Sequence, residues 1–281
     1  SIFSEEMDSY LELLLSAGRN TESYVSTFRS FDDYLTKSKV SEKALTENLL
    51  KDWLLTLSIA ETTKNYEIAR IRKFARYLAA MDIPAYEPDF CRASSAYRAY
   101  TFSEDEFSRI IAVADSGMAS YTNAESSVVF PVLMRVLYGS GLRVGEALAL
   151  QWENVDLDNG ILTIKKAKNN SQRRVPVSDS LNDLLSRYHK KRFPDGDKSE
   201  YLFINREKTG KPYSVQTFGY WFSKVLEKAG IENRRSAPFE RCISTHTLRH
   251  YFTFKSFQKA MTEGRSLEET APYLSAYLGH E

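Results

Sequence analysis

Two arginine-bearing motifs, about a hundred residues apart, constrain this 281-residue chain more than any other feature. The first reads Gly141-Leu142-Arg143-Val144-Gly145-Glu146 and the second Thr245-His246-Thr247-Leu248-Arg249-His250. Each stands where a helix is expected to begin. There, free main-chain N–H groups and the helix dipole favour negative charge. A third fragment, Leu278-Gly279-His280, follows about thirty residues later. Taken singly, each residue has an ordinary reading: Arg143 as a surface residue paired with Glu146 three positions on, and His246 as a turn residue. Taken as a set, the motifs require a fold that returns distant helix starts to one place, around one anion.

The rest of the chain reads as a mainly α protein with a small antiparallel sheet. Residues 1–82 are expected to be a helical domain. Tyr24, Phe28, Phe31 and Leu35 form one apolar stripe, capped by Asn20 or Thr21. Ile71, Phe74, Ala75 and Leu78 form another, and Asn65, Arg72, Lys73 and Arg76 gather on the opposite face of that helix. Such a face can be simply solvated. Residues 83–101, with Pro84 and Pro88, read as a linker. Residues 102–281 read as a mixed α+β domain, opened by a Ser103–Glu106 capping box. It continues with an apolar helix over 128–138 and a turn at Asp156 to Gly160. A hairpin of strands at 161–165 and 174–177 follows, then a helix from Ser214 to Lys228. This order does not alternate as a βαβ series does.

Composition narrows the function. The net charge is +1, so any affinity for nucleic acid must come from local basic clusters. Cys91 and Cys242 are the only cysteines, too few for a disulfide framework or a zinc set. No apolar run reaches the length of roughly 18 residues that a membrane span needs. The N-terminus lacks a signal-peptide pattern, so a cytoplasmic location is expected. Gly139-Ser140-Gly141 with Gly145 imitates a dinucleotide fingerprint, but the spacing is wrong and the preceding segment is helical. Asp156 and Asp158 precede Asn-Gly and are read as turn formers rather than metal ligands. Neither a cofactor nor a metal is expected.

The series Gly-Leu-Arg-x-Gly-Glu, a hairpin lysine, His-x-Leu-Arg-His and Leu-Gly-His resembles the tyrosine recombinases, or phage-type integrases, over nearly the whole chain. The tyrosine-rich stretch Ala271 to Tyr277 is more similar to integrases of transposons and integrative elements than to compact Xer recombinases. The resemblance implies a helical core-binding domain (1–82) and a catalytic domain (102–281). It implies site-specific DNA cleavage and rejoining through a 3′-phosphotyrosine, on double-stranded DNA with specific sites, by a tetramer. Arg143, Lys168, His246, Arg249 and His280 match its catalytic positions, with Glu146 supporting the first arginine. Lys165 and Lys166 lie beside Lys168 as alternatives. The family's nucleophilic tyrosine lies about one helix beyond Leu-Gly-His, and Tyr251, Tyr273 and Tyr277 do not match it. The chain as given is therefore expected to bind DNA without attacking it, and to be a monomer or weak oligomer alone. Tyr273 and Tyr277 are read as packing residues. Asn65, Arg72, Lys73, Arg76 and Arg173 are candidate DNA contacts. A topoisomerase-like relaxing enzyme and a non-catalytic DNA-binding regulator are the alternatives.

The chemistry suits these residue types. In-line attack on a phosphodiester loads negative charge onto the nonbridging oxygens, which arginines meet with paired donors. A phenol with a pKa near 10 needs a base, for which His246 is the candidate. The leaving 5′-oxygen needs a proton, which Lys168 can supply.

Overall fold

The structure is a computed structural model. It describes residues 1–92, 99–116, 124–165, 172–193, 201–205, 210–233 and 242–279. The chain divides into two compact units, Ser1–Tyr97 and Arg98–Glu281.

The first unit holds α1 (Ser4–Ser16), α2 (Glu22–Lys37), α3 (Glu47–Thr56) and α4 (Glu61–Ala79). Both apolar stripes point inward: Tyr24, Phe28, Phe31 and Leu35 of α2 are buried, as are Ile71, Phe74, Ala75 and Leu78 of α4. Phe28 meets Phe74 at 4.8 Å between ring centroids, and Phe31 meets Trp53 of α3 at 5.1 Å. Each such ring contributes about 1.5–3 kcal/mol by leaving water. At the start of α2, Asn20 rather than Thr21 accepts a main-chain hydrogen bond, from the N–H of Glu22 at 2.9 Å.

The stretch expected to be a linker begins inside this unit. Leu45 and Ala85 form a parallel bridge, and the Asn65 side chain brackets Cys91, accepting from its N–H at 2.7 Å and donating to its carbonyl at 3.0 Å. Proline and irregular spacing do remove helix there. They do not remove the side-chain hydrogen bonds that hold the segment to α4.

The second unit holds α5 (Glu104–Asp115), α6 (Ala124–Ser140), α7 (Val144–Leu148), α8 (Asp179–Arg192), α9 (Val215–Lys228), α10 (His246–Thr262) and α11 (Leu267–Leu278). Strands β1 (Val155–Asp156), β2 (Ile161–Lys165) and β3 (Gln172–Pro176) pair antiparallel in that order, and β4 (Ile204–Asn205) pairs with β5 (Lys211–Pro212). The Ser103–Glu106 capping box forms with both of its bonds. Asp156 is a turn former, accepting from the N–H and the side-chain amide of Asn159. The hairpin register sets Lys165 opposite Gln172 and Ile164 opposite Arg173, so β3 starts two residues before its sequence expectation. The core is built on α6, whose Val129, Phe130, Leu133, Met134, Val136 and Leu137 are all buried. α10 packs against both α6 and α11.

Candidate active site

The first motif is shaped by a break in the chain. α6 ends at Ser140, and Gly141 turns into the left-handed region at φ +63°. A Cβ on Gly141 would lie 2.4 Å from Phe252 Cδ1 and 2.9 Å from Leu278 Cδ2, so only glycine fits between α10 and α11 there. The turn leaves Arg143 as the residue before α7, with its side chain 43% exposed. Glu146 reaches back to accept from the Arg143 N–H at 2.9 Å and from its guanidinium at 3.0 Å.

The second motif opens α10. Asn233 clamps Ile243 through two hydrogen bonds, and Thr247 accepts from the Ser244 N–H at 3.2 Å, which fixes where the helix begins. His246 is exposed in the first turn, and its ring meets the edge of His250 at 4.8 Å. Burial and the neighbouring Arg249 charge lower the pKa of His250. Arg249 points inward and is 3% exposed. One of its nitrogens donates to the Gly141 carbonyl and another to the Leu278 carbonyl, each at 2.8 Å. A guanidinium loses hydration on burial, and carbonyl dipoles offset only part of that loss. Burial, then repulsion from Arg143, lower its pKa to about 10, which still leaves it charged at neutral pH.

The third motif arrives on α11. Ser266 and Glu269 form a capping box at its start, and Gly279 ends it in the left-handed region at φ +69°. Tyr277 stacks on Phe252 at 5.5 Å and donates its hydroxyl to the Pro176 carbonyl at 3.0 Å, and burial pushes its pKa up to about 12. It is a packing residue, as expected. Tyr273 is not: it is 80% exposed, because the inner face of α11 carries Leu274, Tyr277 and Leu278 and leaves Tyr273 outside. Tyr251 is buried against Phe107, with ring centroids 4.2 Å apart.

Arg173, expected among the DNA contacts, is largely buried. Its side chain is 11% exposed and turns inward from β3. It grips both oxygens of Glu146, at 3.0 and 2.7 Å, and donates to the Tyr277 carbonyl at 3.2 Å. The half-buried carboxylate captures it. Burial alone would raise the Glu146 pKa; hydrogen bonds from Arg173 and the Arg143 N–H outweigh it and hold the value at about 2. Three guanidinium groups and one carboxylate therefore share this corner, a net charge of two in the positive sense.

Lys168 and His280 lie outside the described residues, as does Lys166. Lys165 is described, and its ammonium pairs with Glu153 at 2.6 Å. Sequence reasoning missed the carbonyls of Gly141, Leu278 and Tyr277 as anchors for arginines. The glycines at 141 and 279 were the available signal, since each marks a place where main chain and side chain come close.

In the first unit, the basic face of α4 is largely engaged. Arg72 donates to the Pro88 carbonyl at 2.8 Å, pairs with Glu87 at 3.1 Å and lies over the Phe90 ring. Arg76 also pairs with Glu87, at 2.9 Å. Lys73 is exposed.

Comparison with known proteins agrees with this architecture. The chain is 26% identical to the integrase/recombinase y4rE of Sinorhizobium fredii over 282 residues, covering 98% of this chain and 87% of that protein. It is 30% identical to the tyrosine recombinase XerD of Neisseria meningitidis serogroup B over 151 residues, 53% of this chain and 49% of that one. Among solved structures, the Tn1549 transposon integrase in complex with a circular intermediate DNA shares the fold with a TM-score of 0.71 at 14% identity. That match covers 98% of this chain and 91% of that one. A lambda integrase tetramer bound to a Holliday junction matches with a TM-score of 0.68 at 15% identity, over 99% of this chain and 76% of that one. Residues 101–262, more than half of the chain and both arginine motifs with it, match the Phage integrase family, and the protein belongs to that family.

Proposed function

We propose that this protein carries out site-specific recombination of double-stranded DNA, by strand cleavage and rejoining through a 3′-phosphotyrosine. The observation that carries the proposal is the seating of Arg249. Its guanidinium bonds to the main chain of Gly141, in the first motif, and of Leu278, in the third. Three motifs from distant parts of the sequence meet on one buried cation.

In this reading Arg143 and Arg249 stabilise the charge that develops on the nonbridging oxygens. His246, exposed at the start of α10, takes the proton of the attacking tyrosine. Lys168 protonates the leaving 5′-oxygen, and His280 adds a donor to the phosphoryl group. The first unit serves as the core-binding domain, with Lys73 among its phosphate contacts. The protein assembles as a tetramer on paired sites, in the bacterial cytoplasm where the DNA lies. Among the described residues no helix is long and apolar enough to cross a membrane.

The test uses the natural full-length protein with duplex DNA taken from the flanks of its own gene and carrying a nick beside the candidate cleavage site. A protein–DNA adduct that survives boiling in detergent, linked through tyrosine to a 3′-phosphate, is the expected product. Cut strands with free 3′-hydroxyls and no adduct would replace this reading with hydrolysis.

A further inference from the structure

We infer that Arg173 is a positioning residue whose task is to occupy Glu146, so that Arg143 keeps its guanidinium available for the scissile phosphate. The inference deepens the recombination reading and rests on it.

The geometry is a competition for one carboxylate. Glu146 Oε1 accepts from Arg143 and from Arg173, each at 3.0 Å, while Oε2 takes the second Arg173 nitrogen at 2.7 Å and the Arg143 N–H at 2.9 Å. Arg173 therefore makes the two-pronged contact, and Arg143 holds one oxygen through one nitrogen. Bidentate pairing is the stronger arrangement and the better neutraliser. The exposures match: Arg173 is turned into the protein and Arg143 faces solvent. Arg173 is itself fenced in. Its Nε donates to the Tyr277 carbonyl, and a Cβ on Gly279 would come within 3.1 Å of its guanidinium. Without Arg173, a partly buried carboxylate would have Arg143 as its nearest neutraliser. Arg143 would be drawn down onto it and away from DNA.

The test compares the full-length protein with Arg173→Ala, Arg173→Lys and the double variant Arg173→Ala with Glu146→Gln. Arg173→Ala should slow single-turnover cleavage about 100-fold, the order expected when one preorganised donor is lost. Arg173→Lys, which keeps the charge, should recover part of that rate. The double variant should cleave at least about tenfold faster than Arg173→Ala alone, because the competing carboxylate is gone. An unimpaired Arg173→Ala, or a double variant as slow as Arg173→Ala, overturns the inference. Titration of the Glu146 carboxyl by NMR needs no cleavage. It should stay well below the ordinary carboxylate range in Arg173→Ala, because Arg143 takes the place of Arg173, and a carboxyl that rises to the ordinary range there overturns the inference by itself. Failure of the wild-type protein to form any adduct counts against the recombination reading alone.

Discussion

The two units each gather arginines, and they use them differently. On α4, Arg72 and Arg76 meet Glu87 and the Pro88 carbonyl at the surface, and hold the segment that follows the helix. In the second unit, Arg249 is buried on two carbonyls, while Arg173 takes the carboxylate that would otherwise claim Arg143. The first set, two arginines on one carboxylate, keeps an excess of one positive charge and acts as structural ties. The second, three arginines around one carboxylate, keeps an excess of two at a fixed place. What separates them is the source of the counter-charge, which no helical wheel displays.

The largest expected effects break the second set. Arg249→Ala removes a permanent charge and leaves the Gly141 and Leu278 carbonyls without their buried donor. Cleavage by the full-length protein should fall by more than about 1,000-fold, and Arg143→Ala should behave alike. Binding should weaken far less, because many phosphate contacts share it. Adduct assays beside gel-shift titrations read both quantities. If binding and cleavage fall together by the same factor, these arginines are ordinary DNA contacts, no different from those of α4.

The Glu146 pair predicts a pH dependence. Its folded pKa, about 2, lies below the ordinary carboxylate value, so its contribution is present above about pH 4.5. That contribution is lost as pH falls through about 2. The shift corresponds to about 3 kcal/mol when fully expressed. Urea unfolding between pH 5 and pH 2.5 should show a loss of stability that Glu146→Gln reduces. An equal loss in wild type and Glu146→Gln would mean the carboxylate is not held as the geometry implies. A somewhat smaller effect, ~2 kcal/mol, is expected for Gly141→Ala, which places a Cβ against Phe252 on a left-handed backbone. A lowered Tm checks it.

Much of this was legible in the sequence, for local reasons. The stripes on α2 and α4, the Ser103 capping box and the Asp156 turn depend on neighbours within a few residues, and they form as spacing dictates. The arginine motifs were legible because their residue types are unusual together. The role of Arg173 was not, since its partner Glu146 comes from a distant part of the chain. The same holds for the stretch after Ile83, read as linker until Asn65, Arg72 and Arg76 are seen to hold it. The helical start of α11 did carry a signal, Ser266 and Glu269 at capping-box spacing, which the tyrosine-rich composition obscured.

The smallest effect separates residues within the α4 face, where sequence reasoning treated four side chains as equals. Lys73 is exposed and takes part in no ion pair among the described residues, whereas Arg76, although 62% exposed, is matched by Glu87. A phosphate contact releases counterions only if the cation was not already neutralised. Lys73→Ala should therefore make the plot of log affinity against log salt shallower by about one. Arg76→Ala should change it by less, because Arg76 is already paired with Glu87. If Arg76→Ala has the larger effect on the slope, then Glu87 yields Arg76 to the DNA, and the contrast between the two sets of arginines holds only for the free protein.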